Sequence, residues 1–182
     1  MDGSNPAAIT KTDLGTLILT GTNTYTGGTT IAQGTLQIGN GGTTGSIVAN
    51  VTDKASLVFD RSDGVTFSGT VSGTGSLTQG GGGTLTLTGL DIYTGGTTIN
   101  AGTLQLGNLS TTGSIVGAVV NKSIFDIFNA NTAGITTITT TDGGETDFEK
   151  TSTAGTAAII SNNRGNHAIP GHEHGRQRHY HH

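Results

Sequence analysis

The sequence contains no cysteine and no tryptophan, only 2 prolines, and aromatic residues make up just 4% of the chain. Without cysteine, a disulfide framework and cysteine-ligated zinc or iron–sulfur centres are excluded. Charge is also scarce, because 11% of residues are charged and the net charge is -4. The 8 lysines and arginines are too few to neutralise a phosphate backbone, so we expect no nucleic-acid partner. No apolar run approaches the roughly 20 residues that a membrane-spanning helix needs, so we also expect no direct membrane span.

Glycine and threonine dominate what is present, with 32 and 36 copies among 182 residues. Threonine is β-branched and favours strands, whereas glycine favours turns and close backbone approach. Intrinsic disorder usually combines low hydrophobicity with high net charge, which this chain lacks. The composition therefore predicts an all-β protein.

An internal repeat is the strongest pattern in the sequence. Residues 15–48 recur as residues 83–116, an offset of 68, and the two copies are identical at 25 of 34 positions. A shorter period relates 132–139 to 153–160. One third of the longer offset is close to this shorter period, so we expect coils of about 21 to 23 residues that stack as a solenoid.

Short alternating strands support this architecture. In residues 16–20 two leucines alternate with polar or apolar neighbours, so Leu17 and Leu19 are expected to face one side. We predict a parallel β-helix of about seven coils over residues 13–165, preceded by a lead-in or capping segment at 1–12. A His-rich, disordered tail is predicted at 166–182. An antiparallel sandwich is the competing fold, but its strands are usually longer and richer in aromatic residues.

The stretch from Leu85 to Asn108, and its first copy from Leu17 to Asn40, resemble the autotransporter-associated β-strand repeat, also called the passenger-associated transport repeat. The resemblance implies a right-handed parallel β-helix from the secreted passenger of a Gram-negative type V autotransporter. Such a passenger is displayed at the cell surface, acts as a stiff stalk or adhesin, and aids its own secretion. The residues expected to build the repeat structurally are Leu17, Leu19, Tyr25, Gly27, Gly28, Ile31, Gly34, Leu36, Leu85, Leu87, Tyr93, Gly95, Gly96, Ile99, Gly102 and Leu104.

The sequence departs from the full autotransporter pattern at both ends. We find no secretory signal at the beginning and no barrel-like strands after residue 165, so we expect a fragment of a longer protein, an excised piece or a truncated reading frame. Its expected partners are unidentified host or cell-surface ligands, neighbouring coils of a longer passenger, or other copies that associate through open solenoid ends.

Catalytic chemistry has few candidates, and we expect a protein that is not an enzyme and needs no cofactor. One alternative is a polysaccharide-active or carbohydrate-binding β-helix, with Asp60 and Asp63 as a carboxylate pair or Tyr25 and Tyr93 as a sugar-binding ladder. The sequence Asp-Arg-Ser-Asp-Gly is also an ordinary turn, which is the favoured interpretation. Another alternative is an ice-binding face, for which the regular threonine row is Thr84, Thr86 and Thr88.

Two segments carry side chains that metals prefer, but we expect neither to be a metal site. The acidic cluster Asp142, Glu145, Asp147 and Glu149 does not follow the spacing of known calcium loops. The tail contains all six histidines, namely His167, His172, His174, His179, His181 and His182, and any metal binding there is expected to be incidental.

Overall fold

The computed structural model describes residues 6–150, 152–162 and 166–168. In this part of the chain every regular element is a β-strand, 21 in all, and every pair of neighbouring strands is parallel. No helix long and apolar enough to cross a membrane occurs among these residues.

The strands form three sheets and one small pair. Sheet A contains β1 (Ile9–Lys11), β3 (Thr29–Ile31), β5 (Val51–Asp53), β8 (Val71–Gly73) and β11 (Ile92–Tyr93). Sheet B contains β2 (Thr16–Leu19), β4 (Thr35–Ile38), β6 (Ser56–Phe59), β9 (Ser76–Gln79), β12 (Thr97–Ile99), β15 (Gly117–Asn121), β18 (Ile135–Thr140) and β20 (Ala158–Ser161). Sheet C contains β7 (Val65–Phe67), β10 (Thr84–Leu87), β13 (Thr103–Leu106), β16 (Ile124–Ile127), β19 (Glu145–Phe148) and β21 (Asn166–Ala168), and the remaining pair is β14 (Gly113–Ser114) with β17 (Ala130–Asn131).

The chain winds as a β-solenoid in which each coil adds one strand to each sheet that it visits. The coils differ slightly in length, as the register partners Thr16 with Thr35 and Thr29 with Val51 show. Among the described residues sheet B has eight strands, so the solenoid has about eight coils, close to the predicted number of about seven. The predicted all-β parallel solenoid is confirmed.

Two strands lie beyond the predicted solenoid bounds of 13–165. Strand β1 falls within the segment 1–12 and pairs with β3. Strand β21 falls at the start of the segment 166–182 and pairs with β19. The rest of the predicted His-rich tail lies outside the described residues.

A thin apolar column fills the solenoid. In sheet B, Leu36, Leu57 and Leu77 stack in register from coil to coil and each is 0% exposed. Each such leucine contributes about 2 kcal/mol through burial. Leu17 continues this column but is 37% exposed, because β2 is the edge strand of sheet B and has one strand neighbour instead of two.

The offset of 68 residues between the two copies does not equal three coils. The prediction that one third of this offset is the length of one coil was therefore wrong. Three coils lead from Thr16 to Ser76 through successive register partners. The chain then passes one further corner before it reaches Thr84, the true counterpart of Thr16 in the second copy. Each strand of the first copy therefore has its counterpart one sheet further on: β2 in sheet B matches β10 in sheet C, and β3 in sheet A matches β12 in sheet B.

Candidate functional site in two stacked corners

The structural unit that the two copies share is a corner two coils deep. In the first copy β1 and β2 flank a turn between sheets A and B, and β3 and β4 stack on them in register. In the second copy β9 and β10 flank a turn between sheets B and C, and β12 and β13 stack on them. We call residues 9–38 the first corner and residues 77–106 the second corner.

The same backbone hydrogen bond closes both corners. The amide of Thr35 donates to the carbonyl of Gly15 at 3.0 Å, and the amide of Thr103 donates to the carbonyl of Gly83 at 3.0 Å. The residue before each donor is a glycine with positive φ, 69° at Gly34 and 60° at Gly102. A Cβ atom at Gly102 would lie 2.2 Å from the Gly83 carbonyl oxygen, and one at Gly34 would lie 2.4 Å from that of Gly15. Only glycine fits both the backbone conformation and the space.

A buried side-chain donor sits beneath each corner. Gln79 is 2% exposed, and its Nε2 donates to the carbonyls of Gly81 at 2.8 Å and Gly83 at 3.0 Å. At the equivalent place Lys11 is 3% exposed, and its Nζ donates to the carbonyl of Asp13, to Asp13 Oδ1 at 2.9 Å and to the carbonyl of Gln33 at 3.3 Å. The hydrogen bond from Lys11 lowers the pKa of Asp13. In both corners a buried side chain therefore provides hydrogen bonds to the carbonyls of the turn.

Sequence reasoning missed these two donors. The recurring block is recognisable only from Gly15 and from Gly83 onward, because the residues before these two glycines are mostly different. Lys11 and Gln79 differ in charge, and the only signal that could have paired them is that the repeat offset also separates their positions.

In each corner a tyrosine hydroxyl contacts the threonine that begins the first strand of the second coil. Tyr93 is 0% exposed and its hydroxyl lies 2.7 Å from Thr97 Oγ1, while the half-buried Tyr25 makes the same contact with Thr29 Oγ1 at 2.8 Å. Burial raises the pKa of Tyr93. Because the ring of Tyr93 is enclosed by protein, these tyrosines do not present a continuous stacking surface for sugars.

The remaining residues expected to build the repeat lie in or beside the two corners. Those that are at most 1% exposed are Ile31, Leu36, Leu85, Leu87, Tyr93, Ile99 and Leu104. Leu19 and Tyr25 are half-buried and Leu17 is exposed, all three at the edge coil. Four glycines form a recurring pair of turns: Gly28 and Gly96 have φ of 86° and 85°, and a Cβ at Gly27 or Gly95 would lie within 2.5 Å of a backbone oxygen in the adjacent coil.

The carboxylate pair suggested for catalysis is engaged in structural contacts. Asp63 accepts hydrogen bonds from Arg61 Nε at 2.8 Å and from Arg61 Nη2 at 2.7 Å. These bonds lower the pKa of Asp63, which keeps it ionised and opposes a role as general acid. Asp60 Oδ2 accepts a hydrogen bond from Gln37 Nε2 at 3.1 Å. The cavity beside Asp63 holds about 10 Å³, at most one water molecule.

The threonine row suggested for ice binding is short. Thr86 stands in register with Thr66 on one side and Gln105 on the other. The same outward column continues with Asp126 and Asp147, whose carboxylates interrupt any regular hydroxyl array. Thr88 lies beyond the end of β10.

The predicted acidic cluster falls partly on this column. Burial, with the nearby charges of Glu149 and Asp147, raises the pKa of Asp126 to about 6. Asp142 lies in the turn between β18 and β19, and Glu145 is the first residue of β19. No group of three or more metal-ligating side chains occurs among residues 6–150 and 152–162. The side chains of the tail histidines lie outside the described residues.

Comparison with known families identifies the corners. The Passenger-associated-transport-repeat family matches residues 9–38 and 77–106, which are the bounds of the two corners. The chain carries two passenger-associated-transport repeats. This match confirms the predicted resemblance and moves the start of each repeat back to Ile9 and Leu77, so that each repeat includes its buried donor.

One curated relative extends the likeness beyond the repeats. The Adhesin BmaC autotransporter of Brucella suis biovar 1 (strain 1330) is 45% identical over 147 residues, which cover 69% of this chain. The chain spans only 4% of the length of that adhesin. No solved structure matches the chain.

Proposed function

We propose that this solenoid is a segment of the passenger of an autotransporter adhesin, displayed outside the cell as a stiff stalk. The observation that supports the proposal is the repeat itself: two corners, closed by the same hydrogen bonds, that coincide with the two passenger-associated-transport repeats. The similarity to an autotransporter adhesin from Brucella suis agrees with this role. The proposed role is structural.

Stiffness follows from the unbroken sheet B. Its eight in-register strands span about 34 Å at roughly 4.8 Å per strand. Each coil packs an inward side chain against the coil before it, and the series Leu36, Leu57 and Leu77 continues with Thr97 and Val119. Bending the solenoid would therefore separate packed side chains along the column.

Aid to secretion follows from the short range of the corner contacts. Within each corner the paired residues are close in sequence, as for Thr84 with Thr103 and Leu77 with Thr97. Closing such a short loop costs little entropy compared with the pairing of distant segments. Each corner can therefore close as soon as its own segment of chain has emerged, and closure opposes backward movement of the chain.

The test is surface display of the chain as a passenger segment upstream of an autotransporter barrel. The double variant Gly34→Ala with Gly102→Ala disrupts both corners, whereas the control Gly42→Ala with Gly82→Ala adds the same two methyl groups where no atom lies within 4 Å. We expect antibody labelling of intact cells to fall several-fold for the first variant and to stay unchanged for the control. Equal display of the two variants would contradict a role of the corners in secretion.

The stalk role has its own measurement. Hydrogen exchange of the chain in solution should show continuous protection of the inner strands of sheet B from β4 to β18, whereas a coil with unprotected amides within that run would contradict a stiff stalk. Because hydrogen exchange does not depend on secretion, the two parts of the proposal can fail separately.

A further inference from the structure

Two pairs of residues that are separated by the repeat offset of 68 each consist of one aspartate and one asparagine. The repeat offset relates Asp53 to Asn121 and Asn23 to Asp91. Three of the four residues are fully buried, with Asp53, Asp91 and Asn121 at 0% exposure, and Asn23 is half-buried at the edge coil. The chain thus contains its own comparison between a carboxyl group and an amide in the same local fold.

At the first position, the asparagine is fully hydrogen bonded. Asn121 Oδ1 accepts the amide of Ser123 at 3.0 Å, and Asn121 Nδ2 donates to the carbonyl of Glu145 at 2.7 Å and to Thr146 Oγ1 at 3.0 Å. Asp53 reproduces the first bond, because its Oδ1 accepts the amide of Ala55 at 2.9 Å. Its Oδ2 takes the place of the amide nitrogen, but it is buried and has no hydrogen-bond partner.

At the second position the asparagine amide is again hydrogen bonded, and one oxygen of the aspartate again has no partner. Asn23 Nδ2 donates to the carbonyls of Gly21 at 3.2 Å and Ser46 at 2.9 Å. In the other copy Asp91 Oδ1 accepts the amide of Val71 at 2.7 Å, while Asp91 Oδ2 is buried without a partner. The counterpart of Ser46 is Ser114, whose carbonyl accepts the amide of Asp91 at 3.0 Å. A carbonyl that accepts from an amide can accept equally from a protonated carboxyl group.

Among the described residues, no cation lies close enough to either carboxyl group to stabilise a negative charge. Asp53 lies under two glycines, and a Cβ at Gly75 would be 2.2 Å from its Cγ. The adjacent Lys54 is exposed, and Lys11, in the same inward column, is bound to Asp13. The titratable side chain that faces both aspartates is the neutral, buried Tyr93, whose pKa their charges would raise further.

An ionised carboxylate in such a place is costly, because a single backbone amide replaces the water that it loses and the second oxygen has no partner. Burial raises the pKa of Asp53 to about 6 and that of Asp91 to about 7, against an ordinary value of 3.8. The folded chain therefore binds more protons than the unfolded chain. The stabilisation that these two protonated groups contribute is fully present below pH 3.8 and is lost as the pH rises through 6 for Asp53 and 7 for Asp91.

We propose that Asp53 and Asp91 are neutral carboxylic acids in the folded solenoid, each in place of an asparagine amide, and that they make the three coils that contain β5, β8 and β11 a pH-sensitive joint. In this joint, strands β5, β8 and β11 of sheet A are most stable in mild acid and become less stable when the two carboxyl groups lose their protons. The chemistry is a reversible loss of one proton to solvent from each carboxyl group.

Urea unfolding at pH 5 and pH 8, followed by circular dichroism, tests the proposal. From the two pKa values, the unfolding constant of the parent should rise about a hundredfold through Asp91 and about tenfold through Asp53 between these pH values. Asp91→Asn and Asp53→Asn should each remove their own share. The reciprocal variant Asn121→Asp should add a new dependence of the same sign, whereas Asn100→Asp, at an exposed position, should add none.

Carboxyl ¹³C NMR identifies the protons directly. The Asp53 and Asp91 resonances should titrate near pH 6 and 7, and hydrogen exchange should quicken with pH in β5, β8 and β11 beyond the intrinsic rate, but not in β18. Titration of both groups near pH 4 would overturn the proposal. So would a double variant, Asp53→Asn with Asp91→Asn, whose unfolding constant changes with pH as much as that of the parent.

Discussion

A methyl group at Gly102 is the smallest change that should break a corner. The Cβ atom of alanine would lie 2.2 Å from the carbonyl oxygen of Gly83 and 2.5 Å from that of Gly81, and the backbone φ of 60° is unfavourable for any residue with a Cβ. The left-handed conformation alone costs about 1 to 2 kcal/mol. Moving the Gly83 carbonyl also weakens the bond from Thr103, worth about 1 kcal/mol.

We therefore expect Gly102→Ala to lower the free energy of unfolding by about 3 kcal/mol. The matched control is Gly82→Ala, in the turn between Gly81 and Gly83, where a Cβ would meet nothing within 4 Å. This control should change the free energy of unfolding by no more than about 0.5 kcal/mol. Urea titration followed by circular dichroism measures both. A loss below about 0.5 kcal/mol for Gly102→Ala would refute the steric argument.

Three further predictions concern the corners and the ends of the solenoid. Replacing Gln79 with leucine should cost about 1 to 3 kcal/mol, because two turn carbonyls lose their buried donor, and an unchanged urea midpoint would contradict this. Tyr93→Phe should cost about 1 kcal/mol, since it leaves the Thr97 hydroxyl without its partner, and by the same urea assay it should cost more than Tyr25→Phe at the half-buried site. The exposed strand edges should promote self-association, so sedimentation should give a mass that rises with concentration, and a strictly monomeric profile at high concentration would count against it.

The parallel solenoid could be predicted because its cause is local and repeated. Alternating leucines in short strands, glycines at the turns and a recurring block all point to stacked coils, and the buried column of Leu36, Leu57 and Leu77 follows from that pattern. The phase of the repeat could not be predicted. Because the coils differ slightly in length, an offset of 68 residues fits several combinations of coils and turns. No residue in the sequence indicates which sheet a strand joins.

The corner donors and the buried carboxyl groups escaped sequence reasoning for a related reason. Lys11 and Gln79 differ in chemistry, and only the structure shows that they are equivalent. Each donates hydrogen bonds to the carbonyls of its own turn. Asp53 and Asp91 resemble ordinary turn aspartates, and their burial depends on Gly75 and Val71 in the adjacent coil.

Disulfide trapping tests most directly whether the second repeat is turned by one sheet relative to the first. The chain has no cysteine, so each engineered pair reports one contact. Cysteines at Thr66 and Thr86, which are outward register partners in sheet C, should cross-link rapidly under mild oxidation, because neighbouring parallel strands place their Cα atoms about 4.8 Å apart. If three equal coils instead separated the two copies, Thr86 would lie beside Asp63. Cross-linking of an Asp63–Thr86 cysteine pair, with none between 66 and 86, would contradict the structure.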